Sequence, residues 1–164
     1  MSKVMLICGK ICSGKTFYAD KLKEKENAVL LSCDEVTSML FDNNLGDGHD
    51  AMMQRIYQYF FQKAVELVGL NVNVILDWGF WSVADREQAK KFFRSKKIDF
   101  ELHYVKVDDD TWQKNIAERN AKVEKGKGGN NFLLDERLMN ILLSRWQEPT
   151  EKEIDVLHQV ERRK

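Results

Sequence analysis

Apolar residues along this chain fall into short unbroken runs separated by longer stretches of helical spacing. Residues 4–8 form such a run, the pattern of a strand covered on both faces. Residues 28–31 and 72–76 repeat it, and residues 100–107 do so with more alternation. Residues 154–160, after the lone Pro149, predict a weaker fifth strand. Helical patterns occupy residues 15–25, 34–41, 50–69, 83–96, 109–125 and 135–146. In the third of these, Met53, Tyr57, Phe60, Ala64 and Val68 recur at helical spacing and predict a core-facing stripe. Asp109 or Asp110 is the expected cap of the fifth helix. Strands alternating with helices predict an α/β fold of about five parallel strands with helices on both faces. Ligands in such sheets bind beyond the carboxyl ends of the strands. The loops after Cys8, Leu31 and Leu76 are therefore where chemistry is expected.

Composition narrows the class. With 164 residues, 43% of them hydrophobic, the chain suffices for one domain over residues 1–164. A chain of this size buries roughly 68–70% of its unfolded surface and needs no disulfides. Lys+Arg and Asp+Glu both number 26, so the formal charge is zero. That argues against a protein held on nucleic acid or membrane by bulk charge, while leaving room for a local basic site. No apolar run approaches the ~18–20 residues of a membrane span, and the apolar start is too short for a signal peptide. Cys8, Cys12 and Cys33 are odd in number and lack metal-ligand spacing. The expectation is a cytoplasmic protein with no membrane association and no obligate protein partner.

After the first strand comes Gly9-Lys10-Ile11-Cys12-Ser13-Gly14-Lys15-Thr16, a full match to G-x-x-x-x-G-K-[ST]. Glycines let the backbone curl so that successive N–H groups form a nest for phosphate oxygens. The following helix adds its positive end. Gly9, Cys12, Ser13 and Gly14 are thus expected to cradle phosphates, Lys15 to reach the β- and γ-phosphates, and Thr16 to ligate Mg²⁺. Cys12 is read as a small loop residue. Asp77 closes the apolar stretch of residues 74–77, the Walker B arrangement that holds the metal shell. Asp34 follows the second strand, where a carboxylate can take the proton of an attacking hydroxyl or can simply cap the next helix, as Ser32 also can.

These segments resemble the small P-loop kinases, a group of AAA-type ATP-binding proteins that includes chloramphenicol phosphotransferase, zeta-toxin-like kinases and polynucleotide 5′-kinase domains. The resemblance rests on GKICSGKT, LLSCDE, VILDWGFWSVADR, IAERN and WQEPTEKE, which span most of the chain in order. It implies a three-layer P-loop fold of the nucleoside-monophosphate-kinase type with a helical lid. It also implies that Asp34 is the acceptor-side base and that Arg119 sits on the lid against the nucleotide. The lid is expected at roughly residues 119–135, where an arginine-bearing helix precedes Gly126, Gly128 and Gly129. Related lids often carry a second arginine one turn earlier, where this chain has Lys114 and Asn115; Arg137 and Arg145 are candidate substitutes.

On the acceptor side, Trp78, Phe80 and Trp81 either wall a pocket or pack helices against the sheet edge. Arg86 is read as a solvated helix residue more than as an acceptor contact, and His49 and Arg55, at or beyond the polar loop of residues 43–50, as possible contacts. His103 and His158 are read as structural. The expected function is transfer of the γ-phosphate of Mg-ATP to a hydroxyl of a small molecule. The alternatives are a polynucleotide 5′-hydroxyl kinase, disfavoured by the balanced charge, and an ATP-binding switch with slow hydrolysis.

Overall fold

The computed structural model describes residues 1–41, 46–129 and 131–160. Five strands, β1 (Val4–Cys8), β2 (Ala28–Ser32), β3 (Asn73–Gly79), β4 (Phe100–Lys106) and β5 (Val156–Gln159), form one sheet in the order β2-β3-β1-β4-β5. Every neighbouring pair is parallel. Six α-helices connect them: α1 (Lys15–Glu26), α2 (Cys33–Phe41), α3 (His49–Gly69), α4 (Val83–Ser95), α5 (Asp109–Glu124) and α6 (Glu136–Ser144). No described helix is long and apolar enough to cross a membrane.

The central β1 explains its own sequence. All five of its residues are fully buried, because helices cover both faces and strands flank both edges. Its pleat divides them: Val4, Leu6 and Cys8 pack with α3 and α4, whereas Met5 and Ile7 pack with α1. The helices following β1 and β3 thus lie on opposite faces, although these two strands are neighbours. Such a divergence opens a crevice at the carboxyl edge.

The expected stripe of α3 faces the core, with Phe60 and Ala64 buried and Met53, Tyr57 and Val68 half-buried; Ile56 and Phe61 broaden it. Several boundaries differ from the pattern-based reading, the fifth strand for example being shorter at both ends. The third strand continues past Asp77 to Gly79, since β1 keeps pairing with it through a register shift after Ile7. The cap of α5 is Asp108, ahead of both expected candidates, Asp109 and Asp110, accepting from the Thr111 amide at 2.8 Å. Asp109 lies 3.6 Å from the Lys10 ammonium instead. Helix α6 starts after its Asp135 cap but stops at Ser144, short of Trp146.

Candidate active site

The loop after β1 is shaped by two glycines. Gly14 carries φ 94 at the start of α1, a conformation that disfavours any Cβ. At Gly9 a Cβ would stand 2.6 Å from Ser13 Oγ and 3.0 Å from the Val105 carbonyl. Ser13 is fully buried and its hydroxyl has no hydrogen bond, so the loop closes tightly on itself. Cys12 is also left-handed, φ 57, and the Gly9 amide donates to Gly79 O at 3.1 Å, tying the loop to the end of β3.

Charged groups converge around this loop. Lys15 donates to Lys10 O at 2.8 Å. Burial lowers its pKa, while the charges of Asp77 and Asp34 oppose that shift. Asp77 is 9% exposed, and among the described residues its carboxylate makes no hydrogen bond. Burial pushes its carboxyl up to about 6; Lys15 counteracts this and Asp34 adds to it. At the start of α2 the Ser32 hydroxyl accepts from the Glu35 amide at 3.4 Å. The capping position is therefore taken by Ser32, and the Asp34 carboxylate is exposed along the same cleft. Thr16 is exposed there too.

Helix α5, which leads into the expected lid, is fastened to the phosphate loop at its base. Trp112 Nε1 donates to Ile11 O at 2.7 Å, and Asn115 Nδ2 to Cys12 O at 2.9 Å. The Lys10 ammonium lies 3.7 Å from the Trp112 ring centre. Asn115, where a second arginine was in question, instead holds the loop. One turn on, Arg119 Nη1 stands 3.9 Å from Cys12 Sγ, its guanidinium is 5.4 Å from the Phe132 ring, and its Nε is buried without a partner. Asn120 exchanges two hydrogen bonds with the Leu134 backbone, at 3.0 and 2.8 Å, closing the loop between α5 and α6. Asn130 of that loop, and residues 43–45 of the polar loop before α3, lie outside the described residues.

The resulting open cleft, about 2180 Å³, runs from the phosphate loop past Asp34 and Asp77 to the start of α3. Trp78 both packs and lines it: it stacks on Tyr57 with ring centres 4.7 Å apart and meets Phe80 at 4.5 Å. Trp81 lines it as well, whereas Phe80 is wholly buried. His49 and Arg145 reach the cleft; Arg55 and Arg137 do not. His103 bridges the Tyr18 hydroxyl at 2.7 Å and Glu101 at 3.1 Å, a structural role. His158 stacks on Tyr18 with ring centres 4.4 Å apart and lies at the cleft edge.

Arg86 is a correction. It is not solvated but fully buried, donating to Phe80 O at 3.1 Å, Gln147 O at 2.8 Å and Glu153 Oε1 at 2.9 Å. It thereby ties the turn after β3, where Phe80 holds φ 45, to the segment that follows α6. Burial raises the Glu153 pKa, but the bonds from Arg86 and the Thr150 amide outweigh it and bring the group down to about 2. Arg86→Met is expected to cost about 3–5 kcal/mol by breaking a buried ion pair, leaving the Gln147 carbonyl without this donor and Glu153 with Lys90, at 3.7 Å, as its counter-charge, read by urea denaturation. A depressed carboxylate stabilises above its ordinary value of 4.5 and loses that contribution as pH falls through about 2. The stability gap between wild type and Glu153→Gln should accordingly shrink across that window.

The profile of an AAA domain matches residues 4–139. The chain belongs to this AAA-domain family. No curated protein sequence matches it. Among solved structures, the AAA domain is similar to the APS kinase CysC of Mycobacterium tuberculosis, with TM-score 0.69 at 19% identity over 99% of this chain and 90% of that one. It is similar to a gluconokinase from Sinorhizobium meliloti, TM-score 0.60 at 10% identity, over 98% and 84%. A chain of the Pnkp1/Rnl/Hen1 RNA repair complex superposes with TM-score 0.69 at 16% identity, over 88% of this chain and 43% of that one. At these identities the likeness establishes the fold, the three-layer P-loop kinase architecture. Trp112 and Arg86, which hold the AAA domain's loops in place, have no spacing signal in the sequence; only their buried contacts disclose them.

Proposed function

We propose that the protein is a phosphotransferase moving the γ-phosphoryl group of Mg-ATP to a hydroxyl of a small acceptor. The carrying observation is that Lys15, Asp34 and Asp77 line one cleft, with Arg119 lying against Cys12 of the phosphate loop. Donor, acceptor and lid elements thus share one cleft. Gly9, Cys12, Ser13, Gly14 and Lys15 cradle the phosphates, and the Lys15 ammonium neutralises charge on the β- and γ-oxygens. Asp34 takes the proton of the attacking hydroxyl. Arg119 swings from the Cys12 sulfur onto the transferring group, and lid closure excludes water. The similarity to a kinase solved with AMPPNP and APS supports this reading.

Asp77 and Thr16 fit a magnesium ion. The buried Asp77 carboxylate has no hydrogen-bond partner among the described residues. Mg²⁺ typically takes one or two carboxylates and completes its shell with phosphate oxygens and water. Among the described residues no three His, Cys, Asp or Glu side chains gather into a metal cage, as suits an ion arriving with its nucleotide. When bound, the ion supplies charge neutralisation on the phosphate oxygens.

Lys15→Ala is expected to weaken Mg-ATP binding roughly 10- to 100-fold, the loss of a charge-assisted hydrogen bond, and to lower transfer on the order of 10²–10³-fold. Calorimetry with Mg-ATP and a labelled γ-phosphate screen over hydroxyl compounds test both parts. Undiminished affinity in the variant would overturn the nucleotide reading.

A further inference from the structure

Charge is distributed unequally along the cleft. From the phosphate loop, α1, α5 and the loop after it, Lys15, Lys21, Lys114, Arg119, Lys122 and Lys127 line the cleft together with Glu118. At the opposite end, lined by α2, the start of α3 and the turn after β3, the signs reverse. Asp34, Glu35, Asp50 and Asp85 line it against a single guanidinium, Arg145.

Arg145 is outnumbered at the acidic end. Asp34 and Glu35 form no ion pair among the described residues. Among the described residues Asp50 meets His49, at 3.3 Å, and Asp85 accepts from the Ser82 amide and hydroxyl at 3.2 and 2.7 Å. These acids do not close on one point, since no three potential metal ligands cluster among the described residues. Tyr57 lines the same end; its phenol is pushed up first by burial, then by Cys33, and then by Asp85, Asp34 and Asp50. At the floor Asp77 is nine-tenths buried, its carboxylate makes no hydrogen bond among the described residues, and it lines the same cleft. Trp78 and Trp81 add aromatic faces beside the carboxylates.

Carboxylates around aromatic walls attract a cation through charge and through the ring quadrupole, and repel an anion. The two ends of the cleft therefore divide the work: the positive end receives the polyphosphate and the negative end receives something of opposite sign. We propose that the acceptor is an amine-bearing hydroxy compound, an amino alcohol or amino sugar without a phosphate, sulfate or carboxylate of its own. This assignment rests on the phosphotransferase reading and adds the chemical class of its second substrate. A 5′-hydroxyl polynucleotide would bring its backbone phosphates against Asp34, Glu35 and Asp50, at a cost on both encounter and affinity.

The test uses the full chain with labelled Mg-ATP and three groups of acceptors. Glucosamine, ethanolamine and kanamycin are cationic, glucose is neutral, and gluconate, APS and a 5′-hydroxyl oligodeoxynucleotide are anionic. Transfer to an amine-bearing member should exceed that to every anionic member by on the order of tenfold or more in kcat/KM, and the margin should narrow as salt is raised. The exposed pair Glu35→Gln and Asp50→Asn should narrow it further, mainly through KM. Mg-ATP affinity of wild type and Lys15→Ala is measured in parallel, so a failed nucleotide reading is seen separately. Equal or better use of an anionic acceptor, no transfer to any amine-bearing compound, or a margin untouched by the two substitutions would each overturn the proposal.

Discussion

Arg119→Ala is expected to lower phosphoryl transfer by roughly 10³–10⁵-fold, the range for an arginine that meets charge developing in the transition state. The side chain is already at the edge of the phosphate loop, 3.9 Å from Cys12 Sγ and against the Phe132 ring. Its buried Nε lacks a partner, so part of its donor capacity is unspent in this arrangement. Burying a guanidinium donor without an acceptor costs free energy, and a phosphoryl oxygen would relieve that cost. Arg119→Lys should recover only part of the rate, because an ammonium keeps the charge but loses the planar fork. Single-turnover kinetics separates this from nucleotide affinity, which should fall far less than the rate. A turnover within tenfold of wild type in Arg119→Ala would leave the residue as lid packing.

Asp34→Asn carries the second large effect, a loss of roughly 10²–10⁴ in transfer with Mg-ATP binding retained. Because Ser32 accepts from the Glu35 amide, the substitution leaves the hydroxyl cap of α2 in place. The amide is nearly the same size and exposed, so the fold should tolerate it. Asp34 also weighs on the protonation of Asp77 and Lys15, so affinity for Mg-ATP is measured alongside transfer. Full activity toward an identified acceptor would remove Asp34 from the role of base.

Much of this arrangement was legible in the chain. Residues 4–8 read as a buried strand because an interior parallel strand has no solvent face, and the structure places β1 over those same residues. The phosphate loop was legible because its requirements are local. Gly14 needs a left-handed backbone and Gly9 needs room, and both needs act over a few residues of sequence. Asp34 presented two competing roles, and its sequence context did not separate them. The structure shows Ser32 Oγ facing the Glu35 amide, a matter of local geometry once α2 forms.

Arg86 shows where patterns mislead. Flanked by Asp85 and Glu87, it has the appearance of a surface helix residue, yet it is fully buried. Its partners are the Phe80 carbonyl six residues back and the Gln147 carbonyl and Glu153 carboxylate more than sixty residues on. Trp112 and Asn115 are similar, reaching carbonyls of Ile11 and Cys12 across about a hundred residues of chain. Helical periodicity records which face is apolar and carries no information on a polar group satisfied at long range.

The sequence by itself determined the alternation of strands and helices, the phosphate loop and the acids that follow the strands, because burial periodicity and backbone freedom are written within a few neighbouring residues. Its balanced charge, 26 cations against 26 anions, was uniform as a count. Only the tertiary structure separated those charges into a positive end and a negative end of one cleft. It did so by bringing α2, α3 and the turn after β3 to one side and the lid to the other. Electrostatic fields sum over distance in space, and the fold alone sets which residues share that space.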